Sequence, residues 1–183
     1  MRLRRGDTII EVILAVTIFS LVAVGALTII NSGLSMAQRS LEITLVRQQI
    51  DSQAEMLRFI NQNNPDLWQQ ILSKKLSGPA LSVLDVDTCP DFSGSPDAFF
   101  IGAFDGGEAL RLQGMDSFQQ EPATYARVQG DISQGVSVQL ASVGGGTGPG
   151  AYDAYVQACW SSPGASRPMT MGTIVRIYEP QVK

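Results

Sequence analysis

The residues near the start of the chain that could do chemistry together are Arg4, Arg5, Gly6, Asp7 and Glu11, in the run RRGDTIIEVILAVTIF (4–19). From Val12 to Ile30 almost everything is apolar. Glu11 is therefore a carboxylate two or three residues inside a segment that partitions out of water. An acidic side chain near the centre of a bilayer costs about 2.5–3.5 kcal/mol on insertion scales, less near the interface, so it calls for a partner. No basic side chain follows until Arg39, and Arg4 and Arg5 lie at headgroup level. A cation can instead be created by cutting the chain. Cleavage after Gly6 exposes an α-amino group on Asp7, one helical turn from Glu11.

Elsewhere the chemistry is sparse. The 183 residues include no histidine, which removes Ser-His-Asp and Cys-His nucleophile pairs and His-ligated zinc. Ser161 and Ser162 have no base to activate a hydroxyl. The glycine-rich run VGGGTGPG (143–150) lacks the Lys-Ser/Thr and the helix that a phosphate cradle needs, so it reads as a loop between strands. Asp85, Asp87 and Asp91, and separately Asp105 with Glu108, could offer oxygens to calcium. Neither spacing matches a known calcium loop, and no metal or cofactor is expected. A net charge of −4 argues against nucleic acid as a partner. The expectation is a non-enzyme. Cys89 and Cys159 are too few for a metal site; in an exported body, their even count points to one disulfide closing a long loop.

The elements that must position these residues follow from periodicity. Residues 8–30 are long enough to cross a bilayer as a helix, and Arg2, Arg4 and Arg5 hold the N-terminus on the cytoplasmic side. No proline occurs before Pro65. Val46, Ile50, Ala54, Leu57 and Ile60 recur at three- and four-residue steps, an apolar stripe on an amphipathic stretch from 34 to 62. One helix is expected over 7–62, its outer half packing on a soluble body. Asn64-Pro65 ends it and caps a short second helix in DLWQQILSKKL (66–76).

Past Gly78 the texture becomes strand-like. AFFIGAF and EALRLQ flank Asp105-Gly106-Gly107, a hairpin signal. TYARVQ, VSVQLAS and AYDAYVQACW alternate apolar with polar residues, and GTIVRIYE closes the set. In AYDAYVQACW, Tyr152, Ala154, Val156, Ala158 and Trp160 share one face and Cys159 takes the other. The expected architecture is α+β: a long N-terminal transmembrane helix packed on a C-terminal antiparallel sheet of four to six strands. Residues 63–183 form the globular extracytoplasmic part.

A short basic leader ending in glycine, a glutamate at the fifth position after it and a long apolar helix together resemble the precursors of type IV pilins and pseudopilins. The residues that carry the resemblance are Arg2-Leu3-Arg4-Arg5-Gly6, Asp7 to Glu11, and Val12 to Ile30. Over those 30 residues it is tight; beyond them only the architecture is pilin-like. It implies that a prepilin peptidase cuts between Gly6 and Asp7 and can methylate the new amine of Asp7. It also implies that Glu11 pairs with the amine of a neighbouring subunit as helices bundle into a filament, with other pilins and an assembly platform as partners. The chain departs from the family in two ways. Its first mature residue is Asp7 where Phe is usual, and its membrane segment has Gly25 in place of a helix-breaking proline.

The function so implied is a structural subunit, a minor pilin or pseudopilin, of a type IV pilus or secretion-type filament. It sits first in the cytoplasmic membrane with its N-terminus inside, and then in a periplasmic or extracellular filament. The alternative is a single-pass anchored or secreted binding domain that never polymerises. VAVGALT offers a signal-peptidase cut after Ala26, which would discard Glu11 and leave its carboxylate without a role. Arg4-Arg5 is a weak twin-arginine signal, because Asp7 and Thr8 stand where that signal has hydrophobic residues.

Overall fold

The structure is a computed structural model. It describes residues 7–76, 89–90, 92, 94–104, 109–115, 135–143, 150–162 and 165–179, with Asp7 and Thr8, and Ala103 and Phe104, described in their backbone alone. The leader with Arg2, Arg4, Arg5 and Gly6 lies outside these residues. So do Asp85, Asp87, Asp91, Asp105, Glu108, the TYARVQ segment and the glycine run 144–149.

Helix α1 runs Asp7–Asn63 and α2 Pro65–Ser73. The strands are β1 (Ala98–Phe104), β2 (Ala109–Gly114), β3 (Val136–Val143), β4 (Ala151–Trp160) and β5 (Met169–Tyr178). By their internal contacts the residues group into two units, Met1–Ser40 and Leu41–Lys183.

In the first unit α1 is interrupted by no proline and tolerates Gly25 and Gly33. Three of its hydroxyls are satisfied locally. Thr17, Ser20 and Thr28 each donate to the carbonyl four residues back, at 2.8, 2.7 and 2.9 Å. That arrangement lets a polar side chain stand in an apolar surrounding without an unmet donor.

In the second unit α1 ends where the amide chemistry changes. Asn63 Nδ2 donates to the Phe59 carbonyl, and Asn64 Oδ1 accepts from the Leu67 amide at 3.1 Å. Pro65 occupies the first turn of α2, where its missing N–H costs nothing. The expected stripe, Val46, Ile50, Ala54, Leu57 and Ile60, is buried, together with Leu67, Trp68 and Ile71 of α2. These residues pack on one face of the sheet: Phe99 and Ile101, then Val136, Val138 and Leu140, then Tyr152 to Trp160 at every second position, then Val175 and Ile177. The period of two in β4 is the one expected from the sequence.

All five strands are antiparallel, in the order β2-β1-β3-β4-β5. The α+β arrangement is therefore observed: a long N-terminal helix, whose part within the second unit packs on an antiparallel sheet. Within it lies a seam. β3 pairs with β4 from Val136 to Val143, and β4 with β5 from Ala151 to Trp160, but β1 meets β3 only at Ala98↔Gln139 and Phe99↔Val138. Beyond those pairs the strands find other partners. The Leu76 amide donates to the Leu140 carbonyl at 2.8 Å. On the β1 side, Gln53 of α1 accepts from the Ile101 amide and donates to the Ile101 carbonyl, both at 2.8 Å. The side-chain amide presents one donor and one acceptor side by side, as a neighbouring strand would.

The face of the sheet away from α1 is partly covered as well. Phe92, Ala98 and Met115 form a second buried cluster with Phe100 against it, and Ser137 and Gln139 are buried on the same face. Cys159, also on that face, is bonded to Cys89, which holds the segment before β1 against β4.

Candidate functional site

The largest chemical anomaly in the described residues is the surface of α1 from Ile9 to Met36. Its large side chains are 54–74 % exposed, from Ile9 at 67 % to Met36 at 71 %. Each is worth about 1–2 kcal/mol when covered, so together they represent roughly 20 kcal/mol. A whole domain is stable by about 5–15 kcal/mol. Leaving such a surface in water is costly. It is long and apolar enough to cross a membrane.

Glu11 lies on this helix and is exposed, with Ile10 and Val12 on either side at 71 % and 60 %. No described residue gives it a hydrogen bond or an ion pair. Asp7 begins the helix, one turn earlier. Arg39, the first basic residue after Glu11, is about 42 Å further along at 1.5 Å per residue. Neither a partner for the carboxylate nor a covering for the apolar side chains is found among the described residues.

The body offers buried polar contacts that hold elements in place. Glu42 is 3 % exposed and accepts from Trp160 Nε1 at 3.0 Å, joining α1 to β4. Asp153 and Arg176 form a two-pronged ion pair across β4 and β5, at 2.8 and 2.9 Å. The Arg176 hydrogen bonds hold the Asp153 carboxyl below the usual range, and the guanidinium rises in return. Tyr152 packs edge-on against Trp68; burial, then the nearby Glu179 carboxylate, raises its phenol. Glu179 in turn accepts from the Gly150 amide. These groups are spread across the sheet and do not converge.

An open cleft of about 420 Å³ lies between α2 and β2, lined by Asn64, Asp66, Leu67, Gln70, Leu110, Arg111 and Leu112. It holds a carboxylate, amides and a guanidinium with no nucleophile beside a base. Among the described residues no group of three or more His, Cys, Asp or Glu could hold a metal.

Sequence reasoning passed over Gln53 and Glu42, although a signal was there. Gln53 is three residues after Ile50 and four before Leu57, and Glu42 is four before Val46. Both are polar residues on the apolar stripe, where a buried polar group needs a partner.

No family model matches the chain, and neither a curated protein nor a solved structure is significantly similar to it.

Proposed function

We propose that the chain is a pilin-like structural subunit, held in the cytoplasmic membrane by α1, cut between Gly6 and Asp7, and built into a type IV pilus or secretion-type filament. The observation that carries this reading is the carboxylate of Glu11, set in an exposed apolar helix that leads into an α+β body. A plain membrane anchor needs the apolar residues but has no use for the acid. In a bundle of copies or relatives the apolar side chains cover one another, and Glu11 takes up the amine that cleavage creates. Arg2, Arg4 and Arg5 keep the leader in the cytoplasm, and Gly6 is the small residue the peptidase requires.

The test is expression of the full chain with and without a prepilin peptidase, scored by the mass and N-terminal sequence of the product. A mature chain starting at Asp7, lost in Gly6→Leu, is the expected result. Unchanged processing in Gly6→Leu sinks the reading. A chain starting at Leu27 supports the secreted binding domain instead. Glu11→Ala should still be cut but should no longer enter filaments, whereas a non-polymerising anchor is indifferent to it.

A further inference from the structure

We infer that this chain is a one-sided subunit: it joins helices of similar build whose first mature residue is uncharged, and it does not stack on copies of itself. The inference rests on the proposed cleavage and on pairing of Glu11 with an amine from the next helix.

The argument is a charge count along α1. From Asp7 to Gln38 the only ionisable side chains are Asp7 and Glu11, both acidic, and Arg39 is about 42 Å beyond Glu11. Cleavage adds one positive charge, the amine of Asp7. Each mature helix end then carries two carboxylates and one amine. The surroundings cannot dilute this imbalance, because the exposed neighbours of Glu11, namely Ile9, Ile10, Val12 and Ile13, are apolar and must be covered by lipid or by other helices.

Stacking copies on one another leaves the ratio at two to one. Every amine would face the carboxyl of its own Asp7 and the Glu11 of a neighbour, and one acid per copy would have no counter-charge in a dry bundle. A helix beginning with a neutral residue brings one amine and no second acid at that end. Its amine can be given to Glu11 of the present chain. The present chain's amine, already balanced within its own first residue, has little to offer the next glutamate. Pairing therefore enters at Glu11 and stops at Asp7.

The experiment uses the full chain, co-produced with a prepilin peptidase and carrying Ala15→Cys as a cross-linking point. Its two native cysteines are bonded to each other and leave that thiol alone. Oxidative cross-linking in membranes should give self-dimers only at background level for the parent chain. Asp7→Asn should raise self-dimers at least tenfold, and so should Asp7→Phe if the asparagine variant is poorly cut. Adding Glu11→Gln should return both to background. A co-produced chain with a neutral first residue and a matching cysteine should cross-link to the parent chain, in a manner that depends on Glu11. Equal self-dimer yields with and without the Asp7 carboxyl overturn the inference while leaving the proposed function standing. Absence of cleavage, read by mass in the same samples, overturns the proposed function and the inference together.

Discussion

Gln53 replaces a strand partner for β1, and the consequence of removing it can be worked out in advance. Gln53→Leu keeps the volume but leaves the Ile101 amide and carbonyl without their partner in a buried place. The two unmet groups together cost about 2–6 kcal/mol, and the added apolar burial returns about 1–2, so the net loss centres on roughly 2–3 kcal/mol. For a body of this size that is a fall in Tm of about 3–15 °C. Gln53→Glu is the sharper variant. Its carboxylate can still accept from the Ile101 amide, but the oxygen in place of Nε2 confronts the Ile101 carbonyl. Protonation restores a donor, so folding raises the introduced carboxyl above its unfolded value of about 4.3. By linkage the variant is then nearest to the parent below about pH 4.3 and loses ground as pH rises through the folded value. Trp68 and Trp160, both buried in the core, supply fluorescence probes for unfolding of the detergent-solubilised chain. A Gln53→Leu variant as stable as the parent, or a Gln53→Glu penalty that does not shrink in acid, would refute the idea that the amide stands in for a strand.

Reduction of Cys89–Cys159, or replacement of both by serine, opens a loop with a sequence separation of 70. Chain-entropy arguments put the loss at about 4 kcal/mol, to be measured as a drop in denaturation midpoint. Glu42→Gln keeps an acceptor for Trp160 Nε1 and should cost little, whereas Glu42→Leu strands that donor and should cost about 1–3 kcal/mol by the same measurement. The Asp153 carboxyl is lower in the folded state than unfolded, so its contribution is present above about pH 3.9 and disappears as pH falls through the folded value. Asp153→Asn should flatten that acid limb in a pH series of Tm values.

Much of the fold could be read from periodicity because it is a matter of which side chains face the core. The stripe from Val46 to Ile60 repeats every three or four residues and is buried, and in β4 the side chains from Tyr152 to Trp160 at every second position face the core, although Gln157 and Cys159 on the other face are buried too. The turn between the helices was legible for a local reason, since Asn64 caps and Pro65 starts a helix whatever lies around them. The seam between β1 and β3 was not legible. Strand order and the extent of a ladder depend on residues brought together from distant parts of the chain, such as Gln53 with Ile101 or Leu76 with Leu140. The second cluster around Phe92 and Met115 was missed likewise, because no period marks a segment that merely crosses a sheet. As for the candidate site, Glu11 could be singled out from residue types alone, since a carboxylate in an apolar run is anomalous in any fold. What covers the helix around it lies outside the described residues, and no side-chain pattern within one chain specifies that.

The seam also has a mechanical meaning. When α1 is pulled, load reaches β4 at Glu42, which accepts from Trp160, and β1 at Gln53, whose amide grips the strand at Ile101. The join between β1 and β3 is two residue pairs wide, whereas β3, β4 and β5 are laced together along their whole lengths. Under tension the sheet should therefore part between β1 and β3 before it parts anywhere else. Cys89 lies just ahead of β1 and is bonded to β4, on the far side of that line. The disulfide acts as a check strap: it ties the chain nine residues ahead of β1 to β4, so the hairpin cannot leave β4 by more than that tether spans.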